Sequence, residues 1–253
     1  SLLAGSGENV YLTVIVMQLL VLVLPTVFYA KLKGEGYTSK LRLSLFNADK
    51  LVLILLAASA MILGGMLINV GMSALGYSLG RFSLYETFSA PGTSGVPDTL
   101  YMIIAFAAIP ALAEEFLFRS VIIAEYEPYG ILCAVFMSSL SFAMLHFSLV
   151  YFPVYLFCGV VLALLTYATR SVLAAAAAHF LYNMFGLFGQ TYVNNVISQL
   201  QNYVLFVFIL AALFLLVLVL AFGEAERIYH NFAVQNKPSD YTVAKSKKTK
   251  ISL

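Results

Sequence analysis

The sequence predicts an all-α, polytopic membrane bundle of about seven transmembrane helices, and three observations carry that prediction. Of 253 residues, 62% are hydrophobic and only 10% are charged, against roughly 25% charged in an ordinary soluble domain. Mean hydropathy is +0.93. The apolar residues also gather into separate runs of roughly 17 to 25 residues, the length a helix needs to cross a bilayer. The net charge of +2 decides little, because in a membrane protein the placement of Lys and Arg outweighs their sum.

Taken in order, the first span covers 10–30 and the second 51–75, the latter with Gly64, Gly65 and Gly71, small residues that let helices approach closely. The stretch from Ser89 to Asp98 is too rich in Pro, Gly and Ser for a regular helix, and Asp98 is a fair N-cap for the third span, which starts near Thr99. The fourth, fifth and sixth spans cover 129–147, 151–169 and 171–188. Their connections are short enough to force antiparallel neighbours, so spans three to six form one compact block. The seventh covers 203–222. Cys133 and Cys158 both lie in apolar runs, where a free Cys behaves as a small hydrophobe, and no disulfide is expected.

The basic residues set the orientation. With 31–50 in the cytoplasm, seven spans put Arg119, Arg170, Arg227 and the Lys-rich tail on the same side and leave only Arg81 outside. The positive-inside rule then places the N-terminus out and the C-terminus in. The domain reading is a single transmembrane domain over 1–230, with a core over 99–188, and a basic, disordered tail over 231–253. A multi-pass cell-membrane protein follows, and the short loops lean toward a bacterial cytoplasmic membrane.

Ionisable side chains within the spans are few: Glu114, Glu115, His146 and His179, with Arg119 and Arg170 near span ends. A charge at mid-bilayer costs roughly 2.5 to 3.5 kcal/mol on insertion scales, so each is a functional-site candidate whose partner must be found. Residues four apart share a helix face, whereas neighbours point about 100° apart. Glu115 and Arg119 can therefore pair. Glu114 points elsewhere and is the candidate reactive carboxylate. His179 and Asn183 project together, and Pro110 deprives the Phe106 carbonyl of its helical donor beside the site. His230 falls in the tail as a bystander.

These residue types suit hydrolysis. A carboxylate with a nearby His can take a proton from water and return it to a leaving amine, while an imidazole and an amide can donate to the oxyanion of a tetrahedral intermediate. The same Glu and His side chains are ordinary ligands for Zn2+, and both chemistries stay open. Each residue also has a plainer reading. Glu115 with Arg119 can be an ion pair near the cytoplasmic interface, and His146, His179 and Asn183 can be hydrogen-bonding glue between helices.

These residues resemble the CAAX-protease and bacteriocin-processing family of intramembrane proteases. The family's EExxxR pattern stands here as Glu114-Glu115-Phe116-Leu117-Phe118-Arg119, FxxxH as Phe142-Ala143-Met144-Leu145-His146, and HxxxN as His179-Phe180-Leu181-Tyr182-Asn183, with the Ser138-Ser139 pair ahead of His146. The resemblance covers about 99–188. It implies a glutamate-dependent intramembrane endopeptidase in which Glu114 and His146 activate water, His179 and Asn183 stabilise the oxyanion, and Glu115 with Arg119 shape the site. It also leaves Zn2+ open, with Glu114, His146 and His179 as its ligands. The expected partners are membrane lipid, a hydrophobic or lipidated peptide substrate and another membrane protein, but not nucleic acid.

Two further expectations need the fold. At about 1.5 Å per residue, Glu114 lies roughly 21 Å from Pro128 and His146 roughly 27 Å from it along the next helix, so tilt or a kink must bring them to one depth. The alternative function is a non-enzymatic membrane partner, such as an immunity or scaffold protein that retains the motifs for structure. A proton- or ion-coupled carrier would call for two related halves with broken spans, and no such repeat is present.

Overall fold

The computed structural model describes residues 7–77, 96–199 and 202–235, and among them every regular element is helical. Helix α1 runs over 7–32 as two α segments, Gly7–Gln18 and Leu24–Leu32, joined by a π turn at Leu19–Val23. Short 3₁₀ turns at Glu35–Leu41 and Ala48–Lys50 lead to α2, Leu51–Ala74. Helix α3 covers 96–126 in three α segments, Val96–Ile103, Ile109–Glu115 and Ile123–Tyr126, separated by π turns at Ile104–Ala108 and Phe116–Ile122. Then come α4, Ile131–Leu145, α5, Phe152–Thr169, and α6, Val172–Met184. A π turn at Phe185–Gly189 leads into α7, Gln190–Gln199, and α8 spans Tyr203–Gln235.

Among the described residues, six stretches are long and apolar enough to cross a membrane: Tyr11–Leu32, Ala48–Ala74, Thr99–Tyr129, Phe152–Thr169, Val172–Gly189 and Tyr203–Phe232. The fourth expected span is the exception. Helix α4 has 15 residues, about 22 Å at 1.5 Å per residue, short of a hydrocarbon core about 30 Å thick. The chain turns at both of its ends, with Gly130 at φ 108° and Phe147 at φ 48°. Elsewhere α3 begins at Val96, ahead of the expected cap Asp98. Helix α8 continues to Gln235, five residues into the expected tail. The expected turn segment up to Gly95, Arg81 and the Lys-rich tail lie outside the described residues.

The core forms where α2 packs against α5, α6 and α8, while α6 also packs against α3 and α5. Met61 of α2, Leu162 of α5 and Ala178 of α6 are fully enclosed there. Glycine sets two of the close approaches. A Cβ on Gly64 would lie 2.5 Å from the Phe157 ring, and one on Gly159 would lie 2.9 Å from the Ser139 Cα, distances that no larger residue permits. Gly71, expected to act likewise, meets nothing within 4 Å.

Polar contacts tie one end of the bundle. Lys33 Nζ sits 2.9 Å from Glu125 Oε2 and Arg42 Nη2 2.6 Å from Glu127 Oε1. Ser171 Oγ donates to the Ser44 carbonyl at 2.6 Å and Arg227 Nη2 to the Asp49 carbonyl at 2.8 Å. Arg170 takes the left-handed conformation at φ 56°, so α5 turns directly into α6, whose Ala174 N–H is capped by Ser171 Oγ. Lys33, Arg42, Arg170 and Arg227 thus share one end, whereas Arg119, which the orientation reading places with them, is fully buried.

Candidate active site

The site is built outward from Glu115, which is fully buried. Four-residue spacing on α3 brings Arg119 Nε to 3.1 Å from Glu115 Oε2, as helical geometry demands. The other carboxylate oxygen, Oε1, takes the Nδ1 of His179, 2.9 Å away on α6. Glu115 therefore bridges a cation on its own helix and an imidazole on another. Arg119 is also fully buried, donates from Nη2 to the Gly159 carbonyl at 3.1 Å and lies 4.6 Å over the Phe142 ring. The pair is enclosed within the bundle, and α3 continues past Arg119 through Tyr126.

Hydrogen bonding fixes the face that each imidazole presents. A carboxylate or carbonyl oxygen can only accept, so the ring nitrogen against it carries the proton. His179 Nδ1 is committed to Glu115 in this way, and Nε2 is left for the site. His146, the C-cap of α4, holds Nδ1 at 2.9 Å from the Phe142 carbonyl and likewise presents Nε2. Asn183 lies one turn beyond His179, and its Nδ2 reaches the Ala107 carbonyl at 3.5 Å. That carbonyl belongs to the π turn just ahead of Pro110, where the helix absorbs the proline instead of breaking.

The depth conflict is reduced by register and by side-chain direction. Ser138 Oγ donates to the Phe118 carbonyl at 2.9 Å, setting residue 138 opposite residue 118, so Phe142 stands level with Glu114 and His146 about 6 Å, one turn, further along. Side chains lean toward the N-terminus of their own helix, and α3 and α4 run antiparallel. The imidazole folds back toward Phe142 while the Glu114 carboxylate leans the other way, and both directions narrow the offset.

Glu114 is 6% exposed, and its Oε2 is buried without a hydrogen-bond partner among the described residues. The groups that face it are His179, Glu115, Arg119 and the amide of Gln18, with Tyr155 also within electrostatic reach. His146 is faced by His179 and Arg119. Glu114, Glu115, Arg119, His146, His179 and Asn183 are thus brought into one neighbourhood, with His179 between the acidic pair and His146. His230 is exposed on α8 and stands apart.

Sequence reasoning missed two contributors. Gln18, the last residue of the first α segment, reaches Glu114 from a helix that reads as plain lipid-facing span. Its signal was available, because it is the lone amide in that apolar run. Tyr155 stacks on His146 with ring centroids 3.8 Å apart and planes 22° apart. Nothing distinguished it among 16 tyrosines.

The expected Zn2+ set fares differently. Among the described residues, no three His, Cys, Asp or Glu side chains are gathered so that they could hold one metal ion. A three-ligand centre needs such a gathering, and no step below runs through a metal.

Comparison with known proteins finds a family for part of the chain. Residues 96–185 match the family model described as type II CAAX prenyl endopeptidase Rce1-like, a range that holds all three motifs. No curated protein and no solved structure matches the chain.

Proposed function

We propose, for a chain whose residues 96–185 belong to the CAAX-protease and bacteriocin-processing family, a glutamate-dependent hydrolysis of a peptide bond at the buried α3–α4–α6 cluster. The observation that carries the reading is the bridge from Arg119 through Glu115 to His179, with Glu114 beside it holding a buried, unpaired carboxylate oxygen. A purely structural ion pair would need Glu115 and Arg119 alone.

In this reading Glu114 takes a proton from a water molecule as the water oxygen bonds to the scissile carbonyl carbon, with the Nε2 of His146 as a second acceptor on the water's far side. The oxyanion is met by the Asn183 N–H not used by Ala107 and by His179. In its doubly protonated form, His179 donates from Nδ1 to Glu115 and from Nε2 to the oxyanion. The carbon–nitrogen bond then breaks, the departing amine takes the proton from Glu114, and the other fragment leaves as the acid.

The substrate class follows from the surroundings. An apolar recess of about 350 Å³ lies next to the acidic pair, lined by residues that include Leu19, Val23, Leu112, Ala113, Phe116 and Ala176. It suits the apolar part of a hydrophobic or lipidated peptide arriving through the bilayer. The tied, basic end of the bundle is taken as cytoplasmic, which leaves the N-terminus outside.

The test is cleavage of a fluorogenic prenylated peptide by purified protein in detergent. Glu114→Gln keeps the shape of the side chain and removes the base, so the rate should fall on the order of 1000-fold. Wild-type turnover by that variant overturns the assignment.

A further inference from the structure

The motifs name His146 but not what holds its ring. A histidine ring turns about χ2 in a broad, roughly two-fold well, and His146 stands where its helix ends. The next residue, Phe147, already has φ 48° and is 93% exposed, so the following turn of helix is not there to pack against the imidazole. The hydrogen bond from Nδ1 to Phe142 O pins one ring atom and leaves the ring plane free to swing about it.

Two aromatic rings from different helices remove that freedom. Phe142 lies at 4.9 Å and 56°. Tyr155, in the first turn of α5, lies at 3.8 Å and 22°, a stacked contact. Phe142 is itself anchored by edge contacts to Phe118 at 5.6 Å and His179 at 5.6 Å and by the Arg119 guanidinium over its face. Tyr155 packs against the same buried core and contacts Tyr151 on its own helix. The imidazole thus meets two rings that are each packed by contacts of their own.

We infer that Tyr155 is a positioning residue of the site, whose ring face fixes the plane of His146 so that Nε2 points at the reacting water. This rests on the hydrolytic reading above. The ring, rather than the phenol oxygen, does the work, because the stacked geometry uses the face. Aromatic contact of this kind contributes beyond simple area burial, and small errors of placement cost reactions heavily.

The experiment uses full-length protein in detergent with two variants. Tyr155→Leu keeps apolar bulk and removes the stacking face; kcat should fall about 10- to 100-fold with little change in KM, the pattern of a misplaced group rather than lost binding. Tyr155→Phe restores the face and should return kcat to within about threefold of wild type. A second readout needs no turnover: 15N-histidine NMR in a His230→Gln background reports the tautomers of His146 and His179 separately. In wild type both rings are protonated at Nδ1. In Tyr155→Leu the His146 signal becomes a mixture while His179 stays fixed, which also shows that the protein is folded.

Unchanged His146 signals together with unchanged kcat in Tyr155→Leu overturn the inference. So does a Tyr155→Phe variant as slow as Tyr155→Leu, which would assign the role to the hydroxyl. If wild type cleaves nothing yet the NMR change appears, the hydrolytic reading fails while the ring clamp stands.

Discussion

Two groups of ion pairs in this molecule use the same chemistry to opposite ends. At the tied end, Lys33 meets Glu125 and Arg227 meets Glu224 with the cations 41% and 46% exposed. In the centre, Arg119, Glu115 and His179 meet at almost no exposure at all. Exposed pairs gain little, because water already solvates both charges. A buried pair must overcome a large desolvation penalty, and removing one partner strands the other. The central group is also incompletely satisfied: Arg119 Nε and Nη1 lack well-aimed acceptors among the described residues. A cluster optimised for stability would close those donors; one shaped around a reaction need not.

The contrast can be broken at several points. The largest effect is expected for Glu115→Ala, which strands a buried guanidinium and frees the His179 ring; it should destabilise the protein by about 3 to 5 kcal/mol, read as a lower melting temperature in detergent, and abolish cleavage. Gly159→Ala comes next. Its methyl would press on the Ser139 backbone and push Arg119 off its carbonyl, costing about 1 to 3 kcal/mol by overpacking in the same melting assay. Gln18→Leu removes the uncharged donor facing Glu114 and should slow cleavage about tenfold, one hydrogen bond to a charged group, with the melting temperature unchanged.

The smallest effect is expected at Lys33→Ala, which should cleave like wild type. The Glu125 hydrogen bond raises the Lys33 ammonium above its ordinary 10.5. Whatever the contact contributes is therefore fully present below that value and is lost only as pH rises through the higher folded one. Melting curves of Lys33→Ala and wild type should keep a constant separation between about pH 6 and 9. A separation that changes within that window would mean that the two groups of pairs are not as different as burial makes them.

What could be read in the sequence divides along a physical line. Four-residue spacing is a local property of one helix, so the Glu115–Arg119 pair and the shared face of His179 and Asn183 were legible. The Glu115–His179 bridge spans 64 positions and depends on how α3 and α6 pack, which no local pattern encodes. The short α4 was overcounted because apolar residues continue past Leu145 after the helix has ended. The four described π turns, at 19–23, 104–108, 116–122 and 185–189, lie in apolar runs where a change of helical pitch leaves no trace in composition.

Those π turns carry a consequence for how the chain tolerates length changes. Each holds one residue more than an α-helix would need, and each borders a site side chain: Gln18, Ala107 with its carbonyl, Glu115, or the Asn183 turn. Deleting one residue from 116–118 would let α3 relax into a regular helix with the chain beyond it still in place, but it would cut the Glu115–Arg119 spacing from four residues to three. Such a one-residue gap would leave hydropathy, helix content and membrane insertion untouched while shifting Arg119 from its present contacts with Glu115 and the Gly159 carbonyl. Chains that align with this one except for a gap inside a π turn are therefore expected to keep the bundle and lose the reaction.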